Sequence, residues 1–233
     1  MSQQITKTTI PADADNVVLF VHGFGVRYDS RGMFIDIKDS LPKDWGSVLF
    51  DFNLVENDNL TIQPISSQIK LLQSLHRTTV KKYPFASIHI IAHSQGCVIT
   101  ALSEIHINGE VILLAPPESM GQKSEDYFKN QPAVKISGQY FIVPRKDGTT
   151  TYIPLHYFKN DDLENAEQKI LEYSKSQKLH VLQTTEDEVL DATEYAKLYN
   201  SPKIRIAQLS SDHNFTGDSR SNLISYIKAV LEI

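Results

Sequence analysis

Ile88-His89-Ile90-Ile91-Ala92-His93-Ser94-Gln95-Gly96-Cys97-Val98 is an apolar run that breaks at a serine and resumes with helical spacing. The part up to His93 reads as a buried strand. Val98, Ala101, Leu102 and Ile105 then recur at i, i+3, i+4 and i+7, the apolar stripe of a helix. Ser94 thus stands on a sharp strand-to-helix turn, with the small residues Ala92 and Gly96 two places to either side. Two readings of this stretch are open. Ser94 and Gln95 cap the helix, or the Ser94 hydroxyl is a nucleophile. The second reading requires a histidine to take the proton, an acid to orient that histidine, and fixed donors for an oxyanion.

Outward from Ser94, apolar runs of strand length alternate with stretches of helical period. Residues 17–21, 47–50, 111–115, 179–182 and 204–207 read as further strands. Pro64 reads as the first position of a helix carrying Ile65, Ile69, Leu72 and Leu75 on one face, and a last helix carries Leu223, Ile227, Val230 and Leu231. Near-continuous apolar strands separated by helices predict an α/β fold, with a mostly parallel central sheet covered on both faces.

The 233 residues, 41% hydrophobic and 22% charged, suit one globular domain with a sizeable core. A net charge of -5 and the lack of a basic stripe interleaved with aromatics exclude nucleic acid as an expected partner. Residues 1–15 are polar, with no leader pattern, and no apolar run approaches the about 20 residues of a membrane span. A cytoplasmic protein without a membrane span is therefore expected. The single cysteine, Cys97, excludes an internal disulfide and reads as a small buried residue packing helix on sheet.

Four segments, each following an apolar strand, resemble the working parts of the α/β-hydrolase family. Ala92-His93-Ser94-Gln95-Gly96 is similar to its nucleophile elbow, usually Gly-x-Ser-x-Gly, with alanine in place of the first glycine. His22-Gly23-Phe24-Gly25 resembles the family's oxyanion loop. Residues 182–190, Leu-Gln-Thr-Thr-Glu-Asp-Glu-Val-Leu, resemble its acid loop, and Ser211-Asp212-His213-Asn214-Phe215 resembles the base loop of esterase-like members. The resemblance covers roughly residues 17–231. It implies Ser94 as nucleophile, His213 as base and Asp187 as the orienting acid, in the chain order of this fold. It also implies oxyanion donors in the backbone N–H groups of Phe24 and Gln95, and neither metal nor organic cofactor.

Alternatives remain beside each assignment. Glu186, Asp187 and Glu188 also read as a solvated turn; Glu188 is a local rival for the acid, and Glu118, after the preceding strand, a distant one. His89, His106 and His180 lie within or beside apolar elements, His76 on a helix and His156 in an insertion, all read as packing or surface. His22 and His93 flank the site and read as braces for its loops.

The insertion runs from about 118 to 157 within a single domain of residues 1–233. Residues 139–144 and 150–154 flank Asp147-Gly148 and predict a hairpin turning there. In the family, an insertion at this point forms a lid. Tyr140, Phe141, Tyr152, Tyr157 and Phe158 would then supply an aromatic wall for substrate; the plainer reading is an aromatic hairpin packed on the sheet edge. The hairpin and the base loop resemble feruloyl and cinnamoyl esterases. The expected activity is hydrolysis of a small-molecule carboxylic ester through an acyl-enzyme. The same triad also serves acyltransferases, thioesterases, peptidases and perhydrolases, and a non-catalytic binding protein on this fold is a further alternative. Oligomeric state is not legible.

Overall fold

The structure, a computed structural model, describes residues 4–190 and 197–233. Along the chain, β1 (Thr6–Thr9) and β2 (Asn16–Val21) precede α1 (Met33–Ser40), β3 (Gly46–Phe50), β4 (Leu54–Glu56), β5 (Asn59–Thr61) and α2 (Ile65–Lys82). Next come β6 (Ser87–His93), α3 (Gln95–Ser103), β7 (Val111–Leu114), α4 (Gln122–Asn130), β8 (Lys135–Ser137), β9 (Tyr140–Pro144) and β10 (Thr150–Pro154). The remaining elements are α5 (Asp161–Glu164), α6 (Ala166–Ser174), β11 (Leu179–Thr184), a 3-10 turn (Leu198–Asn200), β12 (Ile204–Leu209) and α7 (Ser219–Leu231).

Seven strands form the main sheet in the order β1-β3-β2-β6-β7-β11-β12. Every pairing is parallel except that of β1 with β3. Why β2 is apolar throughout follows from its position inside this sheet. Val17, Leu19 and Val21 point into one core with Leu72 of α2, Val98 of α3 and Ile170 of α6. Val18 and Phe20 point into the other, with Phe34 of α1 and Leu223 of α7. Residues 17–21 are accordingly fully buried. The central sheet and its two helical layers match the α/β architecture read from the sequence.

Among the element ends that differ from the sequence reading, three have a plain cause in the backbone. Pro64 caps α2 from an extended conformation (ψ 146°) rather than entering it. β7 stops at Leu114, because Ala115 takes a left-handed backbone (φ 44°). α3 stops at Ser103, where Glu104 adopts φ 50°, so Ile105 lies beyond the helix although still buried.

A second sheet of five strands, β4-β5-β10-β9-β8, carries the expected hairpin. β9 and β10 pair antiparallel from Tyr140↔Pro154 to Pro144↔Thr150, with Gly148 in the turn at φ 84°. Two strands come from outside 118–157, however. β5 pairs parallel with β10 (Leu60↔Thr151, Thr61↔Tyr152) and brings β4 with it. The loop joining β4 to β5 is Asn57-Asp58, both at positive φ (48° and 63°), as a two-residue hairpin turn requires.

Candidate functional site

Ser94 sits between the last residue of β6 and the first of α3 at φ 53°, ψ -126°. A non-glycine residue there is strained and persists only where its surroundings fix it. Two hydrogen bonds do so: the Ser94 N–H donates to the Leu114 carbonyl (2.9 Å) and the Ser94 carbonyl accepts from the Cys97 N–H (2.9 Å). Gly96 lets the helix approach β2 this closely. A Cβ at Gly96 would lie well inside contact distance of the Val21 carbonyl oxygen and 2.7 Å from that of His22. Ala92 in place of the customary glycine is accommodated with full burial.

The loop after β2 lies against the serine, since a Cβ at Gly23 would come within 3.0 Å of Ser94 Cβ. His22 fixes this loop. Its Nε2 accepts from the Phe52 N–H (2.8 Å), which leaves Nδ1 to donate to the Gly23 carbonyl (2.8 Å). Because a peptide unit is planar and trans, the N–H of Phe24 points opposite to the Gly23 carbonyl and away from the His22 ring. The Gln95 N–H belongs to the first turn of α3 and has no acceptor within the helix. These are the two amides that the sequence reading singled out as donors.

His213 lies on the loop after β12. Its Nδ1 is 2.7 Å from Asp187 Oδ2, and both side chains are almost fully buried. Burial alone would raise the carboxyl pKa. Four hydrogen bonds outweigh it: from His213, from Thr184 Oγ1 (2.7 Å), and from the N–H groups of Val189 (2.9 Å) and Leu190 (2.8 Å). With the charge of His213 nearby, they bring Asp187 down to about 2. Glu188 serves the backbone instead, accepting the His213 N–H (3.0 Å). Glu118 is exposed at the surface.

His93 joins the serine to the histidine loop. Its Nε2 donates to the His213 carbonyl (2.9 Å), so Nδ1 is the acceptor facing the Ser30 hydroxyl (3.3 Å). The rings of His93 and His213 are 4.9 Å apart. Burial and the neighbouring His213 push His93 down to about 3. Burial likewise takes His22 to about 4, and His89 to about 4 where its ring stacks on Trp45.

These three rings predict acid lability. Each titrates in the unfolded chain near its ordinary value of about 6.5 but stays neutral in the folded one to about 4 or below. Below pH 6.5 the unfolded state therefore binds more protons, and stability falls as pH falls toward 4. The expected slope reaches about 1.4 kcal/mol per pH unit for each ring. Asp187 adds a loss in the same direction between about pH 4 and 2. Urea unfolding at pH 7 and pH 5 checks this, and equal free energies at the two would contradict it.

Aromatic residues around the Phe24 ring form a wall, in part other than the expected one. Tyr157 and Phe158, both buried in the same core as Phe141, lie 5.4 and 5.6 Å from it, centroid to centroid, and half-buried Phe128 of α4 lies at 5.9 Å. Phe141 is fully buried in the core. Tyr140 and Tyr152 meet each other ring to ring (6.3 Å) on the opposite face of the small sheet. The alternation of side chains along β9 makes it impossible for Tyr140 and Phe141 to share a face. Sequence reasoning missed Phe128 and also Gln68. The Gln68 Oε1 accepts from Gln95 Nε2 (3.0 Å), and the Tyr157 hydroxyl accepts from both Gln95 Nε2 (2.6 Å) and Gln68 Nε2 (3.0 Å). A buried glutamine three places after Ile65, on the inward face of α2, was the available signal.

The sequence profile of a family described as "Alpha/beta hydrolase of unknown function (DUF900)" matches residues 1–210. No functionally curated protein matches the chain. Among solved structures, the chain is similar to Est1E from Butyrivibrio proteoclasticus with ferulic acid bound (TM-score 0.68, 12% identity, covering 100% of this chain and 97% of that one). It is also similar to the esterase domain of a Rhodothermus marinus protein (TM-score 0.65, 15% identity, 98% and 97% covered). The Pyrococcus furiosus esterase Pf2001 is a third (TM-score 0.64, 16% identity, 100% and 90% covered). At these identities the likeness is one of fold.

Proposed function

We propose, from the premise that this chain belongs to the alpha/beta-hydrolase family of unknown function DUF900, that it cleaves carboxylic esters through an acyl-enzyme formed on Ser94. The observation that carries this reading is the Asp187–His213 bond at 2.7 Å, on a loop tied by His93 to the strained turn of Ser94. Asp187 accepts the Nδ1–H of His213, which leaves Nε2 free of a proton and able to take one from the Ser94 hydroxyl. As Oγ attacks the ester carbonyl, the N–H groups of Phe24 and Gln95 hold the developing oxyanion. His213 then returns the proton to the departing alcohol, and water releases the acyl group by the same route.

The five-stranded sheet, with α4 and the segment carrying Tyr157 and Phe158, is the lid in this reading. The half-buried rings of Phe24 and Phe128, backed by the buried Tyr157 and Phe158, favour a substrate with an acyl or aromatic part. The similarity to Est1E, solved with ferulic acid, supports including hydroxycinnamate esters among the candidates.

Labelling with a fluorophosphonate probe tests the proposal. The native chain should be modified at Ser94 and the Ser94→Ala chain should not; an inert native chain would falsify the reading. Asp187→Asn should lower kcat by a smaller factor than Ser94→Ala, since it costs the orientation of His213 and leaves nucleophile and base in place. Steady-state rates on p-nitrophenyl esters check this. A greater loss from Glu118→Gln than from Asp187→Asn would move the acid to Glu118.

A further inference from the structure

Arg145 lies at the base of the β9–β10 turn, and its guanidinium reaches back to the loop beside Ser94. Nε donates to Thr151 Oγ1 (2.8 Å) and Nη2 to the Gly25 carbonyl (3.1 Å). Gly25 is the neighbour of Phe24, so the cation is held one residue from a proposed oxyanion donor. A Cβ at Gly25 would come 2.5 Å from that Nη2, so the glycine makes room for the guanidinium. Arg31 follows Ser30, whose hydroxyl faces His93 (3.3 Å), and is itself exposed. Its charge opposes protonation of both His93 and Arg145.

Among the described residues Arg145 has no carboxylate within ion-pair distance, and Asp147, two residues on, attracts it only from farther away. Arg27, four residues before Arg31, shows the contrast, since it pairs with Asp51 Oδ2 (3.3 Å) and Asp58 Oδ1 (3.8 Å). Holding a half-buried guanidinium with only neutral oxygens as hydrogen-bond acceptors opposes stability. It becomes favourable when an anion enters, because planar guanidinium groups bind carboxylate and phosphate oxygens in pairs. The chain as a whole is acidic, with a net charge of -5, so this is a local reversal of sign.

We propose that Arg145 forms an anion subsite beside the loop that carries Phe24, so that the substrate is an ester bearing a carboxylate or similar negative group a short distance from the scissile carbonyl. The proposal rests on the ester-hydrolase reading above and deepens it by naming the charge of the substrate.

The test compares charged and neutral partners of one shape: monomethyl against dimethyl glutarate, and 4-acetoxybenzoate against its methyl ester. For at least one pair the native chain should favour the anionic member at least tenfold in kcat/KM. Arg145→Gln should bring that ratio toward one, Arg145→Lys should keep part of it, and added salt should shrink it. Any general effect of a substitution on turnover cancels in the ratio. A native chain that treats both members of both pairs alike, or a preference unmoved by Arg145→Gln, overturns the proposal.

Binding to the Ser94→Ala chain separates the two readings. By calorimetry at low ionic strength it should bind the anionic member of the pair at least tenfold more tightly, and Arg145→Gln should erase the difference. If the native chain turns over no ester and takes no fluorophosphonate while this binding difference holds, the hydrolase reading fails and the anion subsite stands. Equal binding of both members overturns the subsite whatever the activity.

Discussion

Replacing Ser94 with alanine is expected to cut ester turnover by ~10³-fold or more while leaving urea stability unchanged or slightly improved. The loss follows from removing the atom that bonds to the acyl carbon. The unchanged stability follows from the bonding of Ser94, whose recorded hydrogen bonds are made by its backbone, to Leu114 and Cys97. His213→Ala should fall to a similar level, because a serine without its base attacks no faster than a missing serine. The double variant should be little worse than either single one, since nucleophile and base act as one unit. Two losses that multiply would mean that the residues act separately, and the mechanism would then have to be abandoned.

The second large effect is on folding. Gly96→Ala introduces a methyl group whose nearest neighbours are the backbone oxygens of Val21 and His22. Backbone inside a sheet cannot swing aside as a lysine tip can. The helix must move off β2, at a cost of about 3 kcal/mol or more, at the upper end of what overpacking usually does. The same shift displaces the Gln95 N–H, so the protein that still folds should also lose kcat. Ala92→Gly, on the other side of the turn, should cost only about 1 kcal/mol. A Gly96→Ala chain as stable as the native one would show that the elbow has slack that this packing denies it.

The central sheet was legible because burial on both faces leaves one signature, a near-continuous apolar run, whole in residues 17–21 of β2 and in β7 and interrupted by a buried histidine in β6 and β11. β1 escaped notice for the converse reason. Thr6–Thr9 is exposed at every position, and it is a strand only because β3 offers it a free edge. β4 and β5 are three residues each, too short for periodicity, though Asn57-Asp58 between them carried a turn signal. The triad candidates could be named because each sits just past a recognisable strand. His22 and His93 could be read as braces, but what they brace against could not. His22 finds Phe52, His93 finds Ser30 and His213, and Arg145 finds Gly25, pairings set by the fold across tens of residues. Tyr140 and Tyr152 were grouped with Tyr157 by composition, whereas the pleat of β9 and β10 sends the first two outward.

The parallel pairing of β5 with β10 has a consequence for anyone who would trade caps between hydrolases. Residues 118–157 look like a cassette that could be lifted out at its two ends and grafted onto another scaffold. They are not self-contained, because the graft would arrive with one edge of its sheet stripped of a partner and would leave Leu54–Thr61 behind as an orphaned hairpin. A transplant that works must carry both pieces, and a shuffled library cut at a single crossover would divide them. Inheritance of this small sheet by recombination therefore demands two coordinated exchanges, which favours its drifting in place over its being swapped.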